Sequence, residues 1–508
     1  MSTKILFLNP PFKTEHGKFS RTSRSPAVTK SGTVYYPIWL AYAAGSAEKA
    51  GNEIMLIDAC SDLLNYNEVI QSMRDFVPDL VVLDTSTPSI ISDIAVAGKL
   101  KVTFPGVITA LMGTHPSVLD EETLSMGGGK VDLIIRGEAD ETIVELARSI
   151  LPTHEFFSEK MYEKLNEVLG ISFRRQSGEI KKNEARPLIA DLDSLPFVSE
   201  VYHKHLKVKN YFFAACDYPE VQIMSARGCT HKCTFCVYPH AIHNLKYRVR
   251  SAKNLADEFD WIAKNMPSVK EVGIEDDTFA GNIKRVHEFC QEKIARGNTL
   301  KWYTNVRATL KLETLELMKK ANCVLLTVGY ESANQNVLGN MKKLMDASAI
   351  KNFSRDTKKA GIMVHSCFMV GNRGDTRETL KESLDLALQL NDDTMQFFPL
   401  IVYPGTPDYQ WAKENNLIEV DGYSEWVTED GMHNSVIRMP DMTCREIVDW
   451  CDYARRRYYL RPKYLFHKLT QTIFKPSEFY RNLKAAKRFF RFLLLGTFGS
   501  TSKPIKSV

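Results

Sequence analysis

Short apolar runs alternate with amphipathic helical patterns through the first 151 residues. The runs have the length of buried strands, and the patterns between them repeat apolar positions at helical spacing. The strand-like runs are residues 4–8, 53–57, 80–83, 107–111 and 131–135, and the helix-like segments are residues 38–50, 67–76, 94–102 and 141–151. This alternation predicts a doubly wound parallel sheet, with ligands beyond the carboxyl ends of its strands.

A second β-α series begins near residue 221. Its strand-like runs are residues 221–225, 270–274, 300–304, 323–328, 363–370 and 394–400, and its clearest helical patterns are residues 256–264, 312–321 and 380–390. Six such units predict an open or partial α/β barrel, a (β/α)6 arrangement. Barrel chemistry belongs at the carboxyl ends of the strands.

The remaining segments are less regular and suggest how the α/β chain divides. We predict a Rossmann-like domain at residues 1–151, a connector at 152–215, a partial barrel at 216–420 and a mostly helical region at 421–508. The connector contains a hairpin-like pair at 169–174 and 179–182. Around residues 445–459 the pattern predicts a helix, in a region expected either to close over the barrel and help select substrate or simply to cap it.

Composition fits a soluble enzyme. Hydrophobic residues make up 44% and charged residues 25% of the 508 residues, and the formal net charge of +5 is too small to indicate a nucleic-acid partner. The chain has no apolar run of membrane-span length and no signal-peptide pattern. Seven of the ten cysteines are scattered without a pairing pattern, so we expect a reducing, cytoplasmic location.

Three cysteines, Cys229, Cys233 and Cys236, crowd into one ten-residue loop after the first barrel strand. A zinc site would need a fourth ligand, for which His240 and His243 are the downstream candidates. Three thiolates at CxxxCxxC spacing instead suit a four-iron, four-sulfur cluster that keeps one iron free of protein ligands.

This loop resembles the signature of the radical S-adenosylmethionine (SAM) superfamily, which has an aromatic residue, here Phe235, before the third cysteine. The resemblance implies that the free iron chelates the amino and carboxylate groups of SAM. An electron from the cluster would then cleave SAM to methionine and a 5'-deoxyadenosyl radical. An external reductant such as flavodoxin or ferredoxin would supply that electron.

Other strand ends of the barrel carry residues that match the same superfamily. Asp276 and Asp277 lie where the superfamily often has a segment facing the SAM amino group, and Arg307 and Glu331, followed by Ser332, match positions that meet the SAM carboxylate and ribose. A guanidinium suits a carboxylate in a forked pair. The alternative is that Asp277, Arg307 and Glu331 form a mutual salt-bridge network at the barrel mouth.

Three loops in the first domain resemble those of the cobalamin-binding domain that precedes many radical SAM enzymes. They supply Thr85, Ser86 and Thr87 from the first loop, Gly113 and His115 from the second, and Gly137 and Glu138 from the third. The alternative is a Rossmann-like scaffold without cobalamin. Because the chain lacks DxHxxG, we expect cobalamin bound without its own base or a histidine on cobalt. His115 would order its loop, touch the corrin or serve structure alone.

The resemblance as a whole implies a cobalamin-dependent radical SAM enzyme that methylates an unactivated carbon of a biosynthetic intermediate. The alternative is a cyclase, oxidase or rearrangement enzyme that acts on a lipid or tetrapyrrole without methyl transfer. A cobalamin or redox sensor is a reading from another class. The substrate would be a small molecule or lipid, and no residue is assigned as catalytic.

The stretch at residues 479–495 sets apolar residues against Lys and Arg at helical spacing. Such a helix either lies on an anionic membrane surface or docks on the protein body. The first alternative would make the protein peripheral on the inner membrane face.

Overall fold

The computed structural model describes residues 2–73, 75–150, 158–474 and 496–497. Its strands are β1 (Lys4–Asn9), β2 (Phe19–Ser20), β3 (Ala27–Val28), β4 (Glu53–Asp58), β5 (Leu80–Thr85), β6 (Ile108–Gly113), β7 (Leu133–Ile135), β8 (Ile171–Arg174), β9 (Ile180–Lys182), β10 (Glu220–Ile223), β11 (Ala226–Arg227), β12 (Arg248–Val249), β13 (Glu271–Ile274), β14 (Lys301–Val306), β15 (Cys323–Glu331), β16 (Met363–Val370) and β17 (Thr394–Pro399).

Helices connect most of these strands. They are α1 (Ile38–Lys49), α2 (Ala59–Asp62), α3 (Tyr66–Ser72), α4 (Ile90–Thr103), α5 (Thr114–Val118), α6 (Asp120–Gly127), α7 (Asp140–Ser149), α8 (Glu159–Glu167), α9 (Val198–His205), α10 (Val237–Ala241), α11 (Ala252–Asn265), α12 (Ile283–Ala295), α13 (Leu312–Lys320), α14 (Gln335–Asn340), α15 (Ala347–Ala360), α16 (Arg377–Leu390), α17 (Pro407–Glu414), α18 (Cys444–Tyr459) and α19 (Pro462–Phe474).

The first sheet has the strand order β4-β1-β5-β6-β7-β8-β9. Strands β4 to β7 in this order run parallel, as the β-α alternation predicts. Both faces of the central strands are covered by helices, which is why the first four residues of β5 are all apolar and every residue of the strand is buried. From β1 the chain goes to β4 on one side and then crosses back to β5 on the other side, so the ligand crevice of this sheet lies at the carboxyl ends of β1 and β5.

The hairpin predicted from residues 169–182 is present as β8 and β9. Strand β8 pairs antiparallel with β7, so the hairpin extends the first sheet. Residues assigned to the connector therefore belong to this sheet, while α9 packs against α1. The domain boundaries themselves stay predictions.

The second sheet has the order β10-β13-β14-β15-β16-β17 with parallel pairing throughout, which confirms the partial barrel. Alternate side chains of β16 line the interior, and those between them face the surrounding helices. The inward-facing set on β16 is Met363, His365, Cys367 and Met369.

A segment of the first domain, residues 20–36, reaches β10 at the open edge of this barrel, and we call it the seam segment. Val34 forms a β-bridge with Phe212. The Tyr36 amide donates to Gln222 Oε1 at 3.1 Å, and the Tyr36 hydroxyl donates to the Glu220 carbonyl at 2.9 Å. The seam segment therefore supplies part of the barrel wall.

The C-terminal region covers the other edge of the barrel. Helix α18, which confirms the helix predicted near residues 445–459, packs on β17, and the Tyr459 hydroxyl donates to the Met395 carbonyl at 2.6 Å. The basic amphipathic segment at 479–495 lies outside the described residues, so its membrane role stays a prediction. Within the described ranges, no helix combines the length and apolar character that crossing a bilayer requires.

Candidate active site

The cysteine loop follows β10 and begins at Gly228, whose φ is +79°. A Cβ at this position would lie 2.0 Å from the Lys246 carbonyl oxygen, so the close approach requires glycine. Cys233 is buried and Cys229 and Cys236 are half-buried. All three thiols line one internal space of about 620 Å³, the barrel cavity.

The two histidines considered as a fourth zinc ligand are engaged elsewhere. His240 Nε2 lies 3.1 Å from the Cys233 carbonyl oxygen, and His243 Nδ1 lies 2.8 Å from Glu138 Oε1. Among the described residues, no group of three His, Cys, Asp or Glu side chains is arranged to hold a single metal ion. Three thiols without a fourth protein ligand fit a four-iron cluster.

Glu331 lies at the end of β15 in a left-handed backbone conformation, with a φ of +66°. The pairing between β15 and β16 shifts register between Gly329 and Glu331, which aims the carboxylate into the barrel cavity. Its Oε1 accepts from Lys343 Nζ at 2.9 Å, and its buried Oε2 has no hydrogen-bond partner in the structure. An orphaned carboxylate oxygen here fits a ligand hydroxyl group.

Arg307 links the cysteine loop to the Lys343 segment. Its Nη1 lies 3.7 Å from Cys233 Sγ, and its Nη2 donates to the Lys343 carbonyl at 2.6 Å. Arg307 does not pair with Glu331, whose ion-pair partner is Lys343. The sequence reasoning missed Lys343, and its place in a loop twelve residues beyond Glu331 carried no signal. Lys343 Nζ also lies 5.8 Å from the centre of the Phe235 ring, which lines the same cavity.

The two aspartates after β13 have different surroundings. Asp277 lines the barrel cavity, has one buried oxygen without a partner, and lies 3.5 Å from Arg24 of the seam segment. Asp276 is fully buried and accepts from the amides of Ser225 and Ala226 at 2.6 and 2.9 Å. Asp276 thus fixes the turn into the cysteine loop.

Ser332 is also turned away from the barrel cavity. Its hydroxyl lies 3.3 Å from Ser383 Oγ and accepts from the Asn334 amide at 3.1 Å. These bonds hold the turn after β15. The roles proposed for Asp276 and Ser332 as cofactor contacts stay predictions.

The loops of the first domain line a cleft that faces α10. Thr85, Gly113, Gly137 and Glu138 line this first-domain cleft. Gly113 has a φ of +125°, and a Cβ there would lie 2.1 Å from the Thr85 carbonyl oxygen. The loop therefore depends on glycine at its closest point to the sheet.

Ser86 and Thr87 stabilise their own loop rather than line the first-domain cleft. The Ser86 hydroxyl lies 2.9 Å from Ser89 Oγ in a capping box, and Thr87 Oγ1 lies 3.3 Å from His115 Nδ1. The His115 ring packs edge-on against Tyr423 at 4.6 Å, and burial lowers its pKa to about 3, so it is neutral at physiological pH. These contacts fit the alternative in which His115 orders its loop.

Arg21 of the seam segment fills the crevice between β1 and β5, which the sequence reasoning did not anticipate. It is fully buried and donates to Asp93 Oδ1 at 2.6 Å and to the Pro10 carbonyl at 2.9 Å. Nearby Asp84 has a buried oxygen without a partner, and burial raises its pKa to about 7. Both side chains line the first-domain cleft, which therefore offers hydrogen-bonding groups to an amide-rich ligand.

A buried charge network joins the first domain to the cysteine loop. Arg227 donates to both oxygens of Asp140, and Glu138 accepts from His243 at 2.8 Å and from Arg248 Nη1 at 2.9 Å. Burial opposes ionisation of Glu138, but the hydrogen bonds from Arg248 and His243 and the charge of Arg227 hold its pKa well below the usual range. The Glu138 carboxylate is thus ionised and ties the loop after β7 to the segment carrying the cysteines.

The barrel cavity and the first-domain cleft share a wall. Thr22, Ser23, Trp39, Val237, Tyr238 and Tyr403 line both spaces. Val237 and Tyr238 directly follow Cys236, so ligands in the two spaces would lie on either side of one short helix, α10.

Family models match both halves of this arrangement. The radical SAM superfamily model matches residues 223–387, and the B12 binding domain model matches residues 24–147. The chain is a cobalamin-binding radical SAM protein. Proteins of this family use three cofactors, namely a four-iron, four-sulfur cluster, SAM and cobalamin. The three thiols of the cysteine loop suit the cluster, and the loops that line the first-domain cleft lie within the matched B12 binding domain.

Curated relatives cover most of this radical SAM protein. An anaerobic magnesium-protoporphyrin IX monomethyl ester cyclase of Cereibacter sphaeroides is 28% identical over 85% of the chain and 68% of the relative. An uncharacterized methyltransferase of Pyrococcus horikoshii is 26% identical over 85% of the chain and 90% of the relative. The solved structure of TsrM, a radical SAM methyltransferase of Kitasatospora setae with cobalamin and a [4Fe-4S] cluster bound, has the same fold, with a TM-score of 0.63 and 15% identity over 82% of this chain and 75% of TsrM.

Proposed function

We propose that this cobalamin-binding radical SAM enzyme methylates an unactivated carbon of a small biosynthetic intermediate. The observation that carries the proposal is the wall shared by the barrel cavity and the first-domain cleft, which includes Trp39, Val237 and Tyr238. A substrate held in the barrel cavity would face the cysteine loop and, across α10, the cobalamin loops. This placement would bring the substrate close to both cofactors.

The cofactors supply the reactive groups and the chain supplies position. When bound, the cluster with SAM furnishes a 5'-deoxyadenosyl radical that removes a hydrogen atom, and cobalamin furnishes the methyl group. We assign Cys229, Cys233 and Cys236 to the cluster. Glu331, held by Lys343, would accept hydrogen bonds from the ribose hydroxyls of SAM, and Asp277 would accept from its amino group. The barrel walls would shield the reacting carbon from bulk water, which protects a carbon radical.

The names of the relatives support two outcomes for this site. One relative is a methyltransferase and another is a tetrapyrrole cyclase. The shared wall favours methyl transfer because it brings the two cofactor spaces side by side. Cyclisation, oxidation or rearrangement without methyl transfer is the competing reaction.

The test uses purified enzyme loaded with all three cofactors, a chemical reductant and SAM with a labelled methyl group. Candidate intermediates come from the genes that neighbour this one. Methyl transfer yields labelled product together with 5'-deoxyadenosine and S-adenosylhomocysteine in about equal amounts. Substrate-dependent 5'-deoxyadenosine with neither S-adenosylhomocysteine nor transferred label would establish the competing reaction. In the cell we expect flavodoxin or ferredoxin to replace the chemical reductant.

A further inference from the structure

The barrel cavity extends along the full length of the barrel. Strand β16 contributes Met363, His365, Cys367 and Met369 to its lining. These residues run from the first residue of the strand to its last inward-facing position. Six residue steps at about 3.3 Å each give a lining about 20 Å long. The cysteine loop lies at the carboxyl ends of the strands, so the far end of the cavity lies at their amino ends.

Helix α19 borders that far end. The Tyr464 hydroxyl donates to the Asp393 carbonyl at 3.0 Å, and Arg461 Nη1 donates to the Leu388 carbonyl at 2.8 Å. Both acceptors lie in or beside the connection that precedes β17, at the amino end of the barrel. The helix is thereby fixed across the base of the barrel.

Leu465 marks an opening between the cavity and solvent. It lines the barrel cavity, yet 52% of its surface is exposed. A side chain that contacts both the cavity and solvent lies at a mouth of the cavity. One turn further along α19, Leu469 is 58% exposed and does not line the cavity.

The lower half of the cavity has a mostly apolar lining, with the charged Lys468 of α19 at the same end. Its apolar and aromatic contributors are Phe213, Leu325, Met363, Met395, Tyr459 and Leu465. His365 lies among them with its Nδ1 2.8 Å from Thr394 Oγ1, and burial lowers its pKa to about 4, so the ring is uncharged at neutral pH. Along the apolar side chains a hydrocarbon would gain from burial, whereas a polar group would lose hydration.

We infer that the substrate is an elongated amphiphile whose hydrocarbon chain lies along the barrel from the cysteine loop to the mouth at Leu465. The inference rests on the proposed function for the position of the reacting carbon near Cys236. The length of the cavity and the apolar lining of its lower half indicate the hydrocarbon chain. The chain would enter or leave through the mouth beside α19, away from both cofactor loops.

Equilibrium dialysis with tritiated palmitate, a linear hydrocarbon carboxylate, tests this inference on the full-length enzyme loaded with its cofactors. Wild type should bind about one palmitate per chain. Met363→Trp narrows the lower cavity, and Leu465→Trp covers the mouth, so each should weaken palmitate binding at least tenfold. Leu469→Trp is the matched control, since it changes a similarly exposed leucine of the same helix and should bind as wild type does.

Every result of these binding measurements either supports or overturns the inference. Absence of saturable binding, equal affinity in all four proteins, or equal loss in the Leu465 and Leu469 variants would overturn the inference. Displacement of palmitate by protoporphyrin IX, with the same dependence on Met363, would replace the chain with a planar ring. SAM binding verifies that the Met363→Trp protein is folded. If that protein does not fold, palmitate binding by the Leu465→Trp protein alone tests the inference. Palmitate binding needs no turnover, so failure of methyl transfer leaves its result standing.

Discussion

Arg227 donates two hydrogen bonds to Asp140, at 2.7 and 2.9 Å, across the boundary between the cobalamin-binding and radical SAM domains. Arg227 is 1% exposed and precedes Cys229 by two residues, and Asp140 is the first residue of α7. The forked pair therefore fixes the start of the cysteine loop against the loop that carries Glu138. Breaking a buried pair leaves an uncompensated charge, which costs about 3–5 kcal/mol.

Replacing Asp140 should destabilise the protein and loosen the cysteine loop. We expect Asp140→Asn to lower the free energy of unfolding by roughly 3 kcal/mol and to reduce iron retained per chain after gel filtration. Denaturant titration and iron analysis measure the two effects. Glu288→Gln, which removes an exposed ion pair with Lys284, is the control and should stay within about 0.5 kcal/mol of wild type. An Asp140→Asn protein with unchanged unfolding and iron content would show that the pair does not fix this loop.

The Glu331 carboxylate should govern SAM affinity. Glu331→Gln keeps the size of the side chain but removes the charge that pairs with Lys343, so we expect the dissociation constant for SAM to rise about tenfold, equivalent to about 1.4 kcal/mol. Calorimetric titration of the cluster-loaded protein measures it. Glu382→Gln, on the exposed face of α16, should bind SAM as wild type does. Equal affinities in both variants would remove Glu331 from the SAM site.

Gly113 should be required for cobalamin binding. In Gly113→Ala the new methyl group would collide with the Thr85 carbonyl, so the loop must move and the affinity for hydroxocobalamin should fall at least tenfold. Spectroscopic titration measures the affinity. Gly129→Ala is the matched control, because a Cβ there meets nothing within 4 Å. Retained affinity in the Gly113 variant would place cobalamin elsewhere.

His115 should not coordinate cobalt. It contacts Thr87 and Tyr423 and does not line the first-domain cleft, so paramagnetic resonance of bound cob(II)alamin should lack nitrogen splitting from an axial ligand. His115→Ala should give the same spectrum. A three-line nitrogen pattern in wild type that disappears in His115→Ala would establish histidine coordination.

Buried neutral histidines should make the fold sensitive to acid. Burial lowers the pKa of His365 to about 4, whereas an unfolded histidine titrates near 6.5. The unfolded state thus binds more protons between these values, and stability present above pH 6.5 is lost as the pH falls towards 4. Between pH 7 and pH 5 the loss from His365 should be about 2 kcal/mol.

Urea unfolding at the two pH values measures this loss. His365→Asn should lose about 2 kcal/mol less than wild type on acidification, because the titrating group is gone. His203→Gln, at an exposed position of α9, should lose as much as wild type. An identical pH dependence in His365→Asn and wild type would refute the assignment.

The β-α alternation is sufficient to predict the parallel strands of both sheets, because it depends on local periodicity, and the short-range spacing of the cysteines indicates the loop that we assign to the cluster. Long-range contacts were not predictable in this way. Arg24 meets Asp277 from a segment more than two hundred residues earlier, and Asp140 and Arg227 are 87 residues apart. Asp276 and Ser332 matched family positions, yet their side chains turn into neighbouring backbone, because strand pleat and turn geometry decide which side chain faces the cavity.

The hairpin β8–β9 shows the same limit for the fold. Its two strands and turn were visible in the sequence because they are local. Its attachment to β7 depends on an unpaired strand edge presented by the folded first sheet, which a single segment does not reveal. For this reason the sequence alone places the hairpin residues in a connector and not in the first sheet.

The seam segment has a consequence for how the enzyme is built. Tyr36 and Gln222 are 186 residues apart, so the piece of wall that closes the barrel is synthesised long before the strand that it covers. The barrel interior is therefore completed only after the first domain is in place, and such distant pairing slows folding. A barrel produced alone would carry an uncovered strand edge, a site of aggregation. The barrel of this protein therefore depends on the first domain for part of its wall.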